Sequence, residues 1–306
     1  MGVHRHSFGC PAALAATAAL VPACALVCAP ICANAHGIAG DRFFPATLSV
    51  DDPAVADELS LPTVSNLDGE TDVSGEYSKR LTSTLGISLG EGWSRIKDAG
   101  APAASGFQNL ETTAKWQFLT SAGHETILAA GVSAEWAGTG AAGVGAEPHT
   151  TITPTFYFGK GAGDLPESLG WARPFALTGQ FGYAIPARTH DPGEPLANPR
   201  VAEWGLTLQY SLAYLQQHVR DVGLPEPFDG MVPLVEASLT TPVSGPDRRT
   251  TGTLDPGVIW AGRHFQLGAE ALVPINAASG RHVGVIVQMH FFLDDLFPHS
   301  IGKPIW

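Results

Sequence analysis

From about residue 60 onward, apolar and polar side chains alternate with a period of two in segments of roughly 8 to 18 residues, separated by turn-rich stretches. In "EWGLTLQYSLAYL", Trp204, Leu206, Leu208, Tyr210, Leu212 and Tyr214 alternate with Glu203, Gly205, Thr207, Gln209, Ser211 and Ala213. In "PFALTGQFGYAIP", Phe175, Leu177, Phe181, Tyr183 and Ile185 oppose Thr178, Gln180 and Gly182. In "GFQNLETTAKWQF", Leu110, Ala114, Trp116 and Phe118 oppose Asn109, Glu111, Thr113, Lys115 and Gln117. Near the end of the chain, Val283, Val285, Val287, Met289, Phe291 and Leu293 share one face, against Gly284, Ile286, Gln288 and His290. Successive side chains of a strand point to opposite faces, so each segment reads as a strand with one apolar face.

A soluble sandwich or an inward-packed barrel also alternates. Two features favour a transmembrane β-barrel. The apolar faces run five or six positions, which suits the about 9–11 tilted residues that cross a bilayer. Aromatics also gather at strand ends (Trp93, Trp136, Trp171, Tyr214, Trp260), as an interfacial girdle requires. The pattern predicts strands over 58–64, 72–79, 84–94, 106–119, 124–138, 147–160, 171–188, 198–216, 231–243, 250–261, 263–276 and 282–293. The fold class is therefore all-β, an antiparallel transmembrane barrel of about 12 strands over 58–293. An even count puts both ends on one side. Turns at 80–83, 120–123 and near 262 are tight on that side, whereas 161–170 and 217–230 are longer than such barrels prefer.

The first 35 residues change the picture of where this barrel goes. A short basic start leads into an Ala-rich run ending at Ala33-Asn34-Ala35, the pattern of a secretory signal peptide cleaved before His36. All four cysteines (Cys10, Cys24, Cys28, Cys32) fall within it, so the mature chain would hold no disulfide. Removing Arg5 takes the net charge from −12 to −13, which excludes the basic footprint that nucleic acid needs. Mean hydropathy is only +0.09 and no mature stretch nears 18 consecutive apolar residues, so no spanning helix is expected. Residues 36–57 read as a periplasmic N-terminal segment and 294–306 as a periplasmic tail. Localisation to the cell outer membrane follows, with outer-membrane lipid, the barrel-assembly machinery and small solutes as partners.

If the apolar faces meet lipid, the other faces line the lumen. Phase places Glu76, Glu111, Lys115, Glu135, Gln180, Glu203, Gln209, Glu236, Gln266, Glu270 and Gln288 inward. Buried carboxylates must be hydrated, paired or neutralised, so these groups either line an acidic passage or satisfy one another across a closed interior. A twelve-stranded barrel can also be a hydrolase, with His and Ser two apart on one strand. None of the eleven histidines is followed by Ser at that spacing, His149-Thr150-Thr151 being the nearest, and no Gly-x-Ser-x-Gly, zincin or phosphate-loop pattern occurs. No enzymatic activity, catalytic residue or cofactor is therefore expected. Asp51, Asp52, Asp57, Glu58, Asp294, Asp295 and His299 could meet around a hard cation, but such acids more often mark turns, and no metal site is assigned.

The stretches "GDRFFPATLSVDDPAVADELSLPT", "GEYSKRLT", "GFQNLETTAKWQF" and "HFFLDDLFPHSIGKPIW" resemble those of a group of bacterial outer-membrane barrel proteins, similar to the outer-membrane family named for the meta-pathway of phenol degradation. The resemblance runs from about Gly40 to Trp306 and implies a barrel, with uptake of small solutes, including aromatic ones, and no assigned catalytic residues. It also implies an aromatic insertion signal, here Phe291 and Phe292 or the terminal Trp306. The expected function is a passive channel or transporter-like barrel for small solutes. The alternatives are a closed barrel with a structural or partner-binding role, and a soluble periplasmic β-protein.

Overall fold

An isolated strand carries unpaired backbone N–H and C=O groups along both edges, and only closure of the sheet satisfies them all within a bilayer. The computed structural model describes residues 37–97, 100, 102–193 and 196–306. The expected signal peptide at 1–35, its cysteines and the cleavage point before His36 lie outside the described residues. Twelve strands form the barrel: β1 (Glu58–Leu67), β2 (Glu70–Arg80), β3 (Leu85–Ile96), β4 (Glu111–Ser121), β5 (Thr126–Glu135), β6 (Thr151–Gly161), β7 (Phe175–Pro186), β8 (Val201–Tyr210), β9 (Met231–Pro242), β10 (Thr251–Ala261), β11 (Phe265–Pro274) and β12 (Gly284–Phe292). Each pairs antiparallel with the next, and β12 pairs back with β1, closing the ring.

The faces segregate as the alternation predicts. Trp116, Phe156, Phe181, Leu208, Val235, Leu267 and Val287 are exposed on the outside, while Thr178, Thr207, Glu236, Asp255 and Gln266 are buried inside. Large apolar side chains outside and carboxylates inside reverse the order of a soluble barrel and match what lipid requires. The soluble alternative, with apolar residues packed inward, is not the arrangement this chain adopts.

Asp68 and Gly69 join β1 to β2 in a two-residue turn, both with positive φ (47° and 92°), the backbone that the twist of a tight hairpin demands. Three of the turns at the opposite end, where Gly37 and the C-terminal tail lie, are short. The two long ones, 162–174 and 211–230, are real, and the strand count stands.

Several boundaries differ from the alternation. The stretch expected as one strand over 106–119 is broken. Ala104–Phe107 folds against the far half of β3, and β4 starts only at Glu111. Asn109 causes the break, since its buried side chain turns away to donate to Glu135 Oε1 (3.0 Å) and the Glu147 carbonyl (2.8 Å). The segment expected to run to 216 ends as a strand at Tyr210. Ser211 then caps a helical turn by accepting from Tyr214 N (3.1 Å). Tyr214, assigned above to the lipid girdle, is consequently buried. Leu293, assigned to the lipid face of the last strand, instead begins a helical turn (Leu293–Leu296) and is buried. Phe292 is likewise turned inward, edge-on to Phe43 with ring centroids 6.2 Å apart.

Candidate functional site

Residues 37–57 do not stay clear of the barrel. They enter at the end where the C-terminal tail lies, climb to mid-height and return to β1. Arg42, wholly buried, fixes the entry. Its guanidinium donates to Glu125 Oε2 (3.1 Å), to the Pro174 carbonyl (2.9 Å) and to the Arg173 carbonyl, and sits 3.8 Å over the Tyr214 ring. Glu125 is fully used, its other contacts being Tyr214 Oη–H (2.8 Å) and Gly163 N–H (2.9 Å). A buried ion pair survives only when its remaining hydrogen-bond sites are filled in this way. The two unusually long turns supply Arg173, Pro174 and Tyr214, so their length serves to clasp the entering segment.

At mid-height the backbone N–H groups of Leu48, Ser49 and Val50 all donate to the Glu236 carboxylate (2.9, 3.1 and 2.7 Å). Gln266 donates to the Ala46 carbonyl and Gln117 Oε1 accepts from Val55 N–H (3.0 Å). Lys115 donates to Asp51 Oδ2 (2.7 Å) and to the Asp52 carbonyl (3.0 Å). Inward glycines make the room. A methyl group at Gly205 would stand 2.7 Å from Val50, one at Gly86 2.8 Å from Val55, and one at Gly268 would collide with Leu48. The return is fixed by Asp57, also wholly buried, whose Oδ1 accepts from Lys79 Nζ and Arg80 N–H (2.9 Å) and whose Oδ2 accepts from Arg80 Nε (2.7 Å).

The segment fills the lumen beside β8–β11 and leaves a cavity of about 450 Å³ on the side of β1–β4. Asp51, Asp52, Glu58, Glu76, Glu91 and Glu111 line it, with Lys115 and His290 as the cationic counterparts. Asp52 belongs to the inserted segment rather than to a strand. Burial pushes its carboxyl up to about 7, with Lys115 opposing the shift and Glu58 and Asp51 adding to it.

The eleven residues whose phase points inward fall into three groups. Glu76, Glu111, Lys115, Gln180 and Gln288 line the cavity. Glu236 and Gln266 hold the inserted segment, and Gln209 and Glu270 are buried on the inner wall near it. Glu135 accepts from Asn109, and Glu203 approaches Gly182 and Glu135 away from the cavity. Three of the acids weighed above as a cation site stand beside protein cations: Asp57 with Lys79 and Arg80, Asp294 3.8 Å from Arg80, and Asp51 with Lys115.

Phase reasoning missed the contribution of the inserted segment and of Glu58, Ser60 and His290. Across the β12–β1 seam, Ser60 Oγ lies 2.8 Å from His290 Nδ1, and Glu58 Oε2 lies 3.2 Å from Nε2. A search for His and Ser two apart on one strand cannot find this arrangement, because it joins the first strand to the last. The signal in hand was His290 on the inward face of the closing strand. The three groups lie against one another where the barrel closes and place an imidazole at the cavity wall.

Neither a family model nor a curated protein matches the sequence. Among solved structures, an outer membrane channel from Pseudomonas putida F1 superposes with a TM-score of 0.56, over 82% of this chain and 99% of that one, at 15% identity. The fold is that of an outer-membrane β-barrel. Identity this low carries the architecture and not the solute. The KdgM porin (TM-score 0.47, 9% identity, 76% of this chain and 98% of that one) and the NanC porin (0.49, 8%, 77% and 98%) are more distant likenesses. The finer resemblance to the phenol meta-pathway family rests on the sequence stretches alone.

Proposed function

We propose that this protein is a passive outer-membrane channel for small cationic or polar solutes, constricted by its own N-terminal segment. The observation that carries this reading is the charge of the cavity wall, where six carboxyl groups face one lysine and one histidine. Fixed charge in a narrow, low-dielectric passage raises the local concentration of the opposite sign. The aromatic solutes implied by the sequence resemblance have less support, since among the described residues no Phe, Tyr or Trp lines the cavity and its ionisable lining is mostly carboxyl.

Reversal potential across a planar bilayer with a salt gradient tests the reading. The wild-type channel is expected near the cation equilibrium. Glu76→Gln combined with Glu111→Gln is expected to move it clearly towards zero, with the folded barrel still migrating as a heat-modifiable band. An unchanged reversal potential in that double variant would remove the wall carboxylates from any role in selectivity.

The same measurement has an expected pH dependence. A carboxyl raised to about 7 is charged above that pH and neutral below it, so Asp52 contributes its negative charge only on the alkaline side. Cation preference should weaken between about pH 8 and about pH 6, and Asp52→Asn should flatten that step. A step that persists in Asp52→Asn belongs to another group.

A further inference from the structure

We propose that Glu147 and His149, in the loop after β5, and Asp191, in the loop after β7, form a divalent transition-metal site at the end of the barrel away from the C-terminal tail. The inference is independent of the channel reading. His149 Nδ1 stands 2.9 Å from Asp191 Oδ2 and 3.8 Å from Glu147 Oε2, and one ligand atom from each of the three residues falls within 4.8 Å of the others. Bonds of about 2.0–2.2 Å to one zinc-like ion separate neighbouring donors by a little over 3 Å, which the two measured edges bracket.

A further observation points to a cation rather than to a simple hydrogen-bonded pair. Asp191 is 8% exposed and its Oδ1 is buried with no hydrogen-bond partner among the described residues. Such a carboxylate is costly unless a positive charge compensates it.

The donor set selects the ion class. One imidazole with two carboxylates suits zinc or a neighbouring transition ion better than calcium or magnesium, which favour all-oxygen shells. His149 and Asp191 are buried, whereas Glu147 is exposed, so an ion could enter from the Glu147 side. Bound there, it would tie the two loops together.

Titration of zinc chloride into the tag-free, refolded protein in detergent, followed by calorimetry and by the visible spectrum of the cobalt(II) form, tests the site. One ion per chain is expected. His149→Ala and Asp191→Asn, which remove ligands themselves, should each weaken binding by more than the about 10–100-fold that loss of an outer-shell partner costs. Glu147→Gln, at an exposed position that folding does not need, should weaken it to a smaller but measurable degree. His282→Ala, on the 275–283 loop, should leave it unchanged. Wild-type protein that binds no stoichiometric zinc overturns the proposal, as does affinity that survives both Glu147→Gln and Asp191→Asn.

Discussion

Deleting residues 41–55 is expected to raise single-channel conductance several-fold while the barrel still folds. The strands close without the segment, since the ladder runs unbroken from β1 through β12 and back. The segment instead occupies lumen cross-section, with Leu48 and Val50 seated against Gly268 and Gly205. Removing it leaves Glu125 without Arg42 and uncovers Glu236, Glu270 and Asp255, and water can hydrate all four carboxyl groups in a widened passage. Glu236→Ala is the milder form of the experiment. It frees three backbone N–H groups at once, each bond to a charged acceptor contributing about 1.5–3 kcal/mol, so the segment should loosen and brief larger openings should interrupt the basal level. Single-channel recordings of both variants beside the wild type decide the point. A deletion that leaves unitary conductance unchanged would mean the segment does not limit the passage.

The second large effect is on stability. Asp57→Ala is expected to cost about 3–5 kcal/mol, the usual consequence of stripping one partner from a buried ion pair. Asp57 is wholly buried and binds two cations. Those cations also hold the tail, with Lys79 Nζ donating to the Ile301 (2.9 Å) and Lys303 (2.7 Å) carbonyls and Arg80 Nη2 lying 3.4 Å from the Gly302 carbonyl. The last residues complete the latch, as Trp306 N–H donates to the Leu81 carbonyl (2.9 Å). One carboxylate therefore ties the start of β1, the β2–β3 turn and the C-terminal tail together. Urea unfolding of vesicle-folded protein, followed by tryptophan fluorescence, should show the loss as a lowered midpoint. A cost below about 1 kcal/mol would place Asp57 among ordinary surface pairs. Truncating 294–306 is expected to destabilise the barrel as well, so loss of a partner in that variant would not by itself assign the tail a docking role.

The strands were legible because lipid outside and water inside impose a strict period of two on residues such as Trp204 to Tyr210 and Val285 to Phe291. The same rule gave the phase of Glu76, Glu111, Lys115 and Gln288. It failed where alternation continued by accident past the membrane. Leu212 and Tyr214 keep the beat of β8, yet Tyr214 turns back to stack on Arg42. Residues 37–57 carry no period, because a segment that packs against a polar inner wall satisfies its backbone through side chains of distant strands. Its clue lay elsewhere, in glycines at inward positions (Gly159, Gly205, Gly268) whose missing side chains leave room for Pro53, Val50 and Leu48. The Glu147, His149 and Asp191 cluster was invisible for a different reason. Forty-odd residues separate two of its members, and the antiparallel pairing of β6 with β7 brings the loops that flank them together.

The most direct test of the whole account is current through the reconstituted mature chain in a planar bilayer under a salt gradient. Small, cation-preferring unitary steps are expected, growing when residues 41–55 are removed. A heat-modifiable, membrane-inserted barrel that remains electrically silent both with and without those residues would contradict the account.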